Sequence, residues 1–266
     1  MNRIDKLFKN LKKQGKKAFI AYITGGYPGM AATEALVLCL EKSGVDLVEI
    51  GVPFSDPMAD GPIIQYASEV ALAHGATLKG LLRSVENIRK KSAVPIVFMS
   101  YYNPIYRYGV ERFVKDASRC GVDGVIIPDL PLEEAAILTN AARGKKFSVI
   151  FLAAPTSTRE RLKKIAKKSR GFIYYVSLTG VTGTRRRLAP DITKNIKSIK
   201  ALTDKPVCVG FGVSNASQAK LAAHVADGVI VGSAIIKIIE RLPAGQAFEG
   251  RVGRFAAGLA KAIHGA

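Results

Sequence analysis

Eight apolar runs, rich in β-branched residues, recur along the chain, and helical patterns separate them. The runs are continuous rather than alternating, which is typical of parallel strands that helices cover on both faces. Eight strand–helix units with no break in composition predict a (β/α)8 TIM barrel that forms a single domain over residues 1–266. A doubly wound sheet is the alternative. The eight runs occupy residues 18–24, 46–52, 94–100, 122–128, 147–153, 171–177, 205–211 and 226–232.

Two further helices are predicted outside the repeating units, an extra N-terminal helix over residues 2–13 and another over residues 245–264. The apolar face of the N-terminal helix carries Ile4, Leu7, Phe8 and Leu11. This segment lacks the apolar core of a signal peptide, and no apolar run reaches the roughly 18 residues that a membrane span needs. We therefore expect a soluble cytoplasmic protein.

The charge balance is strongly basic, with 40 basic and 21 acidic residues and a formal net charge of +19. Such a field favours anionic ligands and could hold nucleic acid without sequence specificity. The basic residues are dispersed over predicted helix faces, however, and no aromatic residues are interleaved with them to stack on bases. We expect most of these side chains to be solvated.

Cysteine and histidine are too scattered to form a metal site. Neither the three cysteines nor the three histidines show metal-ligand spacing, so we predict buried, unreactive thiols in a reducing compartment and no metal. Any chemistry is therefore expected of carboxylates. The residues in question are Cys39, Cys120, Cys208, His74, His224 and His264.

The acids of EIGVPFSDPMADGP, residues 49–62, stand where a barrel would place its chemistry, at the end of the second strand. Glu49 lies inside the predicted strand, and because side chains alternate it shares one face with residues 47 and 51. A carboxyl on the inner face loses water, which raises its pKa towards neutrality and suits it to proton transfer. Asp60 lies eleven residues later, in a loop that could fold back over the mouth. The alternative for Glu49 is an ion pair with a lysine at the rim.

Glycine-bearing turns follow the last three predicted strands, at residues 180–183, 210–214 and 232–235. Glycine lets the backbone N–H groups approach an anion closely, and Ser233 opens a helix whose N-terminus favours a phosphate. Barrels often bind a phosphate at these strand ends. The turns therefore predict a phosphate site, although ordinary strand–helix turns are the alternative.

The stretch LVEIGVPFSDPMADGPIIQYAS closely resembles the signature of the tryptophan synthase α subunit family. The segments AFIAYITGGYP, MSYYNPIYRYG, GVIIPDLP, LAAPTST, YYVSLTGVTGTR, VGFGVS and DGVIVGSAI resemble that family too, in the same order and spacing. The resemblance covers nearly the whole chain. It implies a (β/α)8 barrel that cleaves indole-3-glycerol phosphate and has no cofactor of its own. It also implies a pyridoxal-phosphate-dependent β subunit as partner, in an α2β2 assembly, which receives indole through a tunnel.

The resemblance also assigns roles to residues. It implies that Glu49 is the general acid/base and that Asp60 faces the indole N–H. Asp129 would steady the loop after the sixth strand through Thr182. Asp56 and Pro57 would contact the partner, with capping of a turn as the alternative for Asp56. The indole-side walls would be Tyr22, Met99, Tyr101, Pro128, Tyr174 and Phe211, and the phosphate would be bound by Gly183, Gly212, Gly232 and Ser233.

Two features depart from what the resemblance leads us to expect. Three consecutive arginines, residues 185–187, follow the sixth predicted strand, and our hypothesis is that they attract the substrate phosphate. The net charge of +19 is the other. Three further functions stay open at this point: a mainly regulatory subunit that activates a β partner, a stand-alone indole lyase, and a nucleic-acid-binding protein supported by charge alone.

Overall fold

Parallel strands form the inner layer of the fold. The computed structural model describes residues 1–176, 190–210, 212–242 and 247–266. Within these ranges nine strands form one sheet, and all of its neighbouring pairs are parallel. In chain order they are β1 (Ala18–Thr24), β2 (Leu47–Gly51), β3 (Ile96–Met99), β4 (Gly124–Ile126), β5 (Ser148–Ile150), β6 (Leu152–Ala153), β7 (Ile173–Val176), β8 (Val207–Gly210) and β9 (Gly228–Val231).

The sheet closes on itself within the fifth predicted run. The strand order is β5-β4-β3-β2-β1-β9-β8-β7-β6, so its two edge strands are consecutive in the chain and only Phe151 separates them. The N–H of Phe151 donates to Ser169 Oγ at 2.9 Å, which takes it out of the strand ladder. The prediction of a (β/α)8 barrel is confirmed, with the difference that one of its eight strands is divided into two short strands, β5 and β6.

Helices form the outer layer. One of them, Arg159–Lys168, begins with a side-chain cap, since Thr158 Oγ1 accepts a hydrogen bond from the N–H of Arg161. Across the described ranges the helices are α1 (Arg3–Lys13), α2 (Met30–Lys42), α3 (Pro62–Ala73), α4 (Leu78–Arg89), α5 (Tyr102–Tyr108), α6 (Val110–Cys120), α7 (Ala136–Ala141), α8 (Arg159–Lys168), α9 (Pro190–Lys200), α10 (Ala216–Val225), α11 (Ser233–Glu240) and α12 (Arg254–His264). No helix of this part of the chain is long and apolar enough to cross a membrane.

The extra N-terminal helix α1 closes the end of the barrel at which the strands begin. Its apolar face packs against inward-facing strand residues, and Ile4 is completely buried there. Asn2 Nδ2 donates to Ser148 Oγ at 2.6 Å, and the Arg3 guanidinium lies 3.0 Å from the Asp123 carboxylate. Because this end is closed, a ligand reaches the described interior from the carboxyl ends of the strands.

Asp123 also forms an ion pair with Arg89, although most of the basic side chains were predicted to be solvated. The Arg89 guanidinium lies 2.9 Å from the Asp123 carboxylate and donates to the carbonyl oxygens of Val94 and Gly121. Arg89 ends α4, but its side chain is largely buried. The position of a basic residue at a helix terminus therefore did not distinguish a surface charge from a structural anchor.

Candidate active site

Glu49 lies on the inner face of β2, as the alternation predicts. It pairs in register with Tyr22 of β1 and Val97 of β3, and its side chain is completely buried. Neither carboxyl oxygen has a hydrogen-bond partner among the described residues. The alternative of a lysine ion pair at the rim is thus wrong for the residues that the structure describes. A buried carboxyl without partners is free to bind a ligand.

The environment of Glu49 favours its protonated form. Burial, and secondarily the negative charge of Asp60, raises the pKa of Glu49 to about 8. At neutral pH this side chain is mainly a neutral acid that can give up a proton, and a small change in its surroundings would let it take the proton back. This is the behaviour required of a general acid/base.

Asp60 lies at the end of the loop that follows β2, half-buried at the mouth. The loop is fixed at two points: the N–H of Ala59 donates to Tyr101 Oη at 2.8 Å, and Gln65 Nε2 of α3 donates to the Asp60 carbonyl oxygen at 2.8 Å. Burial raises the pKa of the Asp60 carboxyl, and a hydrogen bond from Tyr101 opposes that shift by favouring the carboxylate. The loop therefore folds back over the barrel, as the sequence suggested.

Two buried tyrosines, Tyr22 and Tyr174, lie on the inner face near Glu49, and each one covers a glycine. A Cβ atom on Gly51 would collide with the Tyr22 hydroxyl, and one on Gly210 would lie 2.7 Å from Tyr174 Oη. Burial raises the pKa of both phenols, which keeps them neutral. Sequence reasoning missed these two glycines, although each ends a strand and its side-chain position faces inward.

The other predicted indole-side residues are distributed around the mouth. Met99 follows the same inward-facing pattern on β3, and Tyr101, two residues later, is buried with its ring centroid 5.5 Å from that of Phe54. Pro128 lines a cavity of about 350 Å³ with Phe151 and other residues. Its contact with the Glu49 pocket stays a prediction. Phe211 lies outside the described residues.

Two of the three predicted phosphate turns are described, and they follow neighbouring strands. Gly210 of β8 pairs with Ile230 of β9, which places Gly212 and Gly232 just beyond adjacent strand ends. Gly232 caps α11, its carbonyl oxygen accepts from the N–H groups of Ile235 and Ile236, and a Cβ there would lie 3.1 Å from Tyr22. Ser233 opens the same helix and is half-buried.

The other residues predicted near the phosphate lie outside the described residues, and they are Gly183, Thr182 and the arginines 185–187. Asp129, which was predicted to act through Thr182, has another contact that sequence reasoning missed. Its Oδ1 accepts from the N–H of Tyr102 at 2.9 Å and so caps the start of α5, next to Tyr101. No local signal indicated this contact, because the two residues are 27 positions apart.

The residues predicted to contact the partner lie on the outer side of the loop between β2 and α3. Asp56 is exposed and accepts a hydrogen bond from Ser55 Oγ, and Pro57 is half-buried. Met58 beside them exposes 86% of its surface, which is unusual for a methionine. These positions fit an interface at the rim of the mouth, which stays a prediction.

The three cysteines, Cys39, Cys120 and Cys208, lie in the part of the chain that is described. All three thiols are buried, as predicted. No group of three or more His, Cys, Asp or Glu side chains in these residues could hold a metal ion.

Comparison with known proteins gives one consistent family. A family model described as tryptophan synthase alpha chain matches residues 8–262. The tryptophan synthase alpha chain of Geobacter sulfurreducens is 51% identical over 264 residues, which is 99% of each chain, and that of Geotalea daltonii is 52% identical over 241 residues, 91% of each.

Solved structures agree with the sequence relatives. The crystal structure of tryptophan synthase subunit alpha from Legionella pneumophila has a TM-score of 0.91 and 39% identity, covering 99% of this chain and 98% of that one. A structure of Mycobacterium tuberculosis tryptophan synthase has a TM-score of 0.91 and 37% identity, with 99% and 98% covered.

Proposed function

The chain belongs to the tryptophan synthase alpha chain family, and from this premise we propose that Glu49 and Asp60 carry the family's reaction in this chain. The reaction is a lyase step of tryptophan biosynthesis, the cleavage of indole-3-glycerol phosphate to indole and glyceraldehyde 3-phosphate. The partner is a tryptophan synthase β subunit, which receives the indole. The side chains that carry out this reaction are assigned from their burial, contacts and pKa values.

The observation that supports the proposal most is the state of Glu49. Its carboxyl is completely buried, has a pKa raised to about 8, and has no partner for either oxygen in the part of the chain that the structure describes. Burying an unpaired carboxyl opposes folding, so a barrel that needed only stability would fill this position with an apolar residue. The burial is consistent with selection for proton transfer rather than for packing.

Retro-aldol cleavage requires two proton movements, and Glu49 is placed to serve both. The protonated carboxyl gives its proton to indole C3, which makes the ring a leaving group. The resulting carboxylate then takes the proton from the glycerol hydroxyl as the carbon–carbon bond breaks and the aldehyde forms. Glu49 ends the cycle protonated, as it began, so the proton balance closes.

Asp60 stabilises the intermediate between these steps. Protonation at C3 places positive charge on the indole nitrogen, and a carboxylate facing that N–H accepts the hydrogen bond and offsets the charge. Burial raises the pKa of Asp60, and the hydrogen bond from Tyr101 opposes that shift by favouring the carboxylate. Neutral, buried phenols at Tyr22 and Tyr174 supply flat apolar surface for the ring.

We assign the phosphate group to the turns at Gly212 and Gly232–Ser233, with Gly183 as the third element. Asp129 and Thr182 are assigned to loop closure, and Asp56 and Pro57 to the β-subunit interface. The indole-side walls are assigned to Met99, Tyr101, Pro128 and Phe211 together with the two tyrosines.

We also propose that residues 1–266 act as one barrel domain in the cytoplasm. The support is a single closed sheet and the biosynthetic role of the family. Limited proteolysis of the purified chain, which should yield no independently folded half, and fractionation of cells that produce it would test these two points.

The direct test is indole release from indole-3-glycerol phosphate by the wild type and by Glu49→Gln and Asp60→Asn, with and without a β subunit. We expect kcat to fall by about 10²- to 10⁴-fold in each variant. This is the size of the rate contribution that general acid–base catalysis and electrostatic stabilisation of a transition state typically make. Asp56→Asn, an acid in the same loop, is the matched control and should keep the turnover of the isolated chain. Wild-type turnover with full activity in Glu49→Gln would refute the assignment.

A further inference from the structure

Strand β1 separates the reacting acid from the assigned phosphate turns. In the sheet it lies between β2, which carries Glu49, and β9, beyond whose end Gly232 follows directly. A substrate whose ring lies at Glu49 and whose phosphate lies at Gly232 must therefore carry its glycerol moiety across the carboxyl end of β1. The side chains at that strand end are the ones that the glycerol moiety passes.

Two inward-facing side chains stand at this crossing, Tyr22 and Thr24. Ala18 belongs to the inner cluster, so alternation places Tyr22 and Thr24 on the inner face too, with Thr24 last in the strand. The Tyr22 hydroxyl lies over Gly51 of β2, and a Cβ atom on Gly232 would lie 3.1 Å from the base of the Tyr22 ring. The phenol thus reaches from the phosphate side of the mouth to the acid side.

The Tyr22 hydroxyl lies near both acids of the site. Burial raises the pKa of Tyr22 most, and the negative charges of Asp60 and Glu49 add to that rise. The phenol therefore keeps its proton throughout the neutral pH range, and it is available as a hydrogen-bond donor. A neutral phenol can donate to a neutral hydroxyl of a ligand without adding charge between the two carboxyls.

Thr24 supports the Tyr22 hydroxyl from the end of the same strand. It is only 1% exposed, and its Oγ1 has no hydrogen-bond partner of good geometry among the described residues. It nevertheless lies near enough to the Tyr22 hydroxyl to oppose the rise of the phenol pKa. A buried hydroxyl of this kind opposes folding, so its presence is consistent with a role in the site rather than in packing.

The glycerol moiety of the substrate has two hydroxyls, and only one of them takes part in the reaction. The hydroxyl on the carbon attached to the ring gives its proton to Glu49 and becomes the aldehyde. The middle hydroxyl is unchanged in glyceraldehyde 3-phosphate, and none of the roles assigned above provides a partner for it. Burying it without a hydrogen bond would cost affinity.

We propose that the Tyr22 hydroxyl donates a hydrogen bond to this middle hydroxyl, and that Thr24 holds the phenol in position for the contact. Tyr22 then has two roles, because its ring covers the indole side while its hydroxyl binds the glycerol moiety. Thr24 is a positioning residue that acts through Tyr22. Both roles rest on the proposed function, which supplies a substrate with that hydroxyl.

The first arm of the test is isothermal titration calorimetry in the Glu49→Gln background, where turnover is slow enough for an equilibrium measurement. The ligands are indole-3-glycerol phosphate and the analogue that lacks only the middle hydroxyl. Tyr22→Phe keeps the ring and should weaken the natural substrate by about 3- to 10-fold, the contribution of one hydrogen bond between neutral groups. It should leave the affinity for the analogue unchanged. An equal loss for both ligands, or no loss for either, would overturn the proposal.

The second arm tests Thr24 in the same background. Thr24→Val should weaken the natural substrate by a smaller factor than Tyr22→Phe does, and it should have no effect in a chain that also carries Tyr22→Phe. Thr24→Ser keeps the hydroxyl and should bind like the parent chain. Ser118→Ala is the matched control, since it removes another partnerless hydroxyl of the described residues, on α6 in the outer layer. Losses from Thr24→Val and Tyr22→Phe that multiply would refute the positioning role.

Indole release with the β subunit separates this contact from the proposed function. Tyr22→Phe alone should raise KM by the same factor and leave kcat nearly unchanged, because the middle hydroxyl takes no part in the bonds that change. A fall in kcat at unchanged KM would indicate a displaced ring and would overturn the contact. A wild-type chain that neither binds nor cleaves the substrate would refute the proposed function and the contact together. Full wild-type activity with no change in Tyr22→Phe would refute the contact alone.

Discussion

Activity should depend on pH because the Glu49 carboxyl ionises within the range that can be measured. Because the pKa of Glu49 is about 8 in the free chain and the acid form starts the reaction, kcat/KM should fall as pH rises through 8. The raised pKa of Asp60 should produce a decline on the acid side, where its carboxylate is lost. Initial rates of indole release between pH 5 and about 10 test this, with circular dichroism at each pH to verify folding. A profile that stays flat up to the alkaline end would contradict the role of protonated Glu49.

Gly51 should matter to catalysis although it has no side chain to contribute. A Cβ atom there would displace the Tyr22 ring, which lies across Gly51 beside Glu49. We expect Gly51→Ala to lower kcat/KM by about 10- to 100-fold, because small misplacements in a reaction site are costly. Gly29→Ala, where nothing lies within 4 Å of the added methyl, is the control and should keep its activity. Equal rates in both variants would show that the ring is free to move.

The sequence predicted those parts of the candidate site whose positions depend on a single strand and the loop that follows it. Strand alternation put Glu49 on one face with residues 47 and 51, the inner placement of that face is confirmed by its burial, and the spacing to Asp60 allowed a loop that folds back. The cap that Asp129 provides for α5 and the glycines beneath the tyrosines depend on contacts between distant segments. A local pattern carries no information on such contacts.

At the scale of elements, α1 is expected to stabilise the barrel through its packing. Ile4 is completely buried against the inner strand residues, so Ile4→Ala should lower the free energy of unfolding by about 2 to 4 kcal/mol. Urea unfolding measures the change. Lys9→Ala on the exposed face of the same helix should be nearly neutral, and a loss of equal size there would point to helix propensity instead of packing.

The elements themselves were largely predictable, because each buried strand is a continuous apolar run bounded by turns. The split of the fifth strand was not, since it depends on the Ser169 hydroxyl taking the N–H of a residue 18 positions away. The burial of Arg89 was missed for a similar reason, because its carboxylate partner Asp123 lies on a different segment.

For the whole molecule, the buried carboxyl should make stability fall as pH rises. The folded pKa of Glu49, about 8, exceeds the ordinary value of 4.5, so the native state holds a proton that the unfolded chain has lost. Glu49→Gln should therefore be more stable than the wild type by an amount that grows between pH 4.5 and 8, on the order of 1.4 kcal/mol per pH unit at most. Urea unfolding of both proteins at several pH values tests this, and a difference independent of pH would argue against it.

The closure of one barrel end by α1 has a consequence for the route that ligands take in a catalytic cycle. In the part of the chain that the structure describes, the interior opens at the carboxyl ends of the strands, so substrate and products share one passage. A protein docked on that rim would therefore lie across the passage that both substrate and products must use.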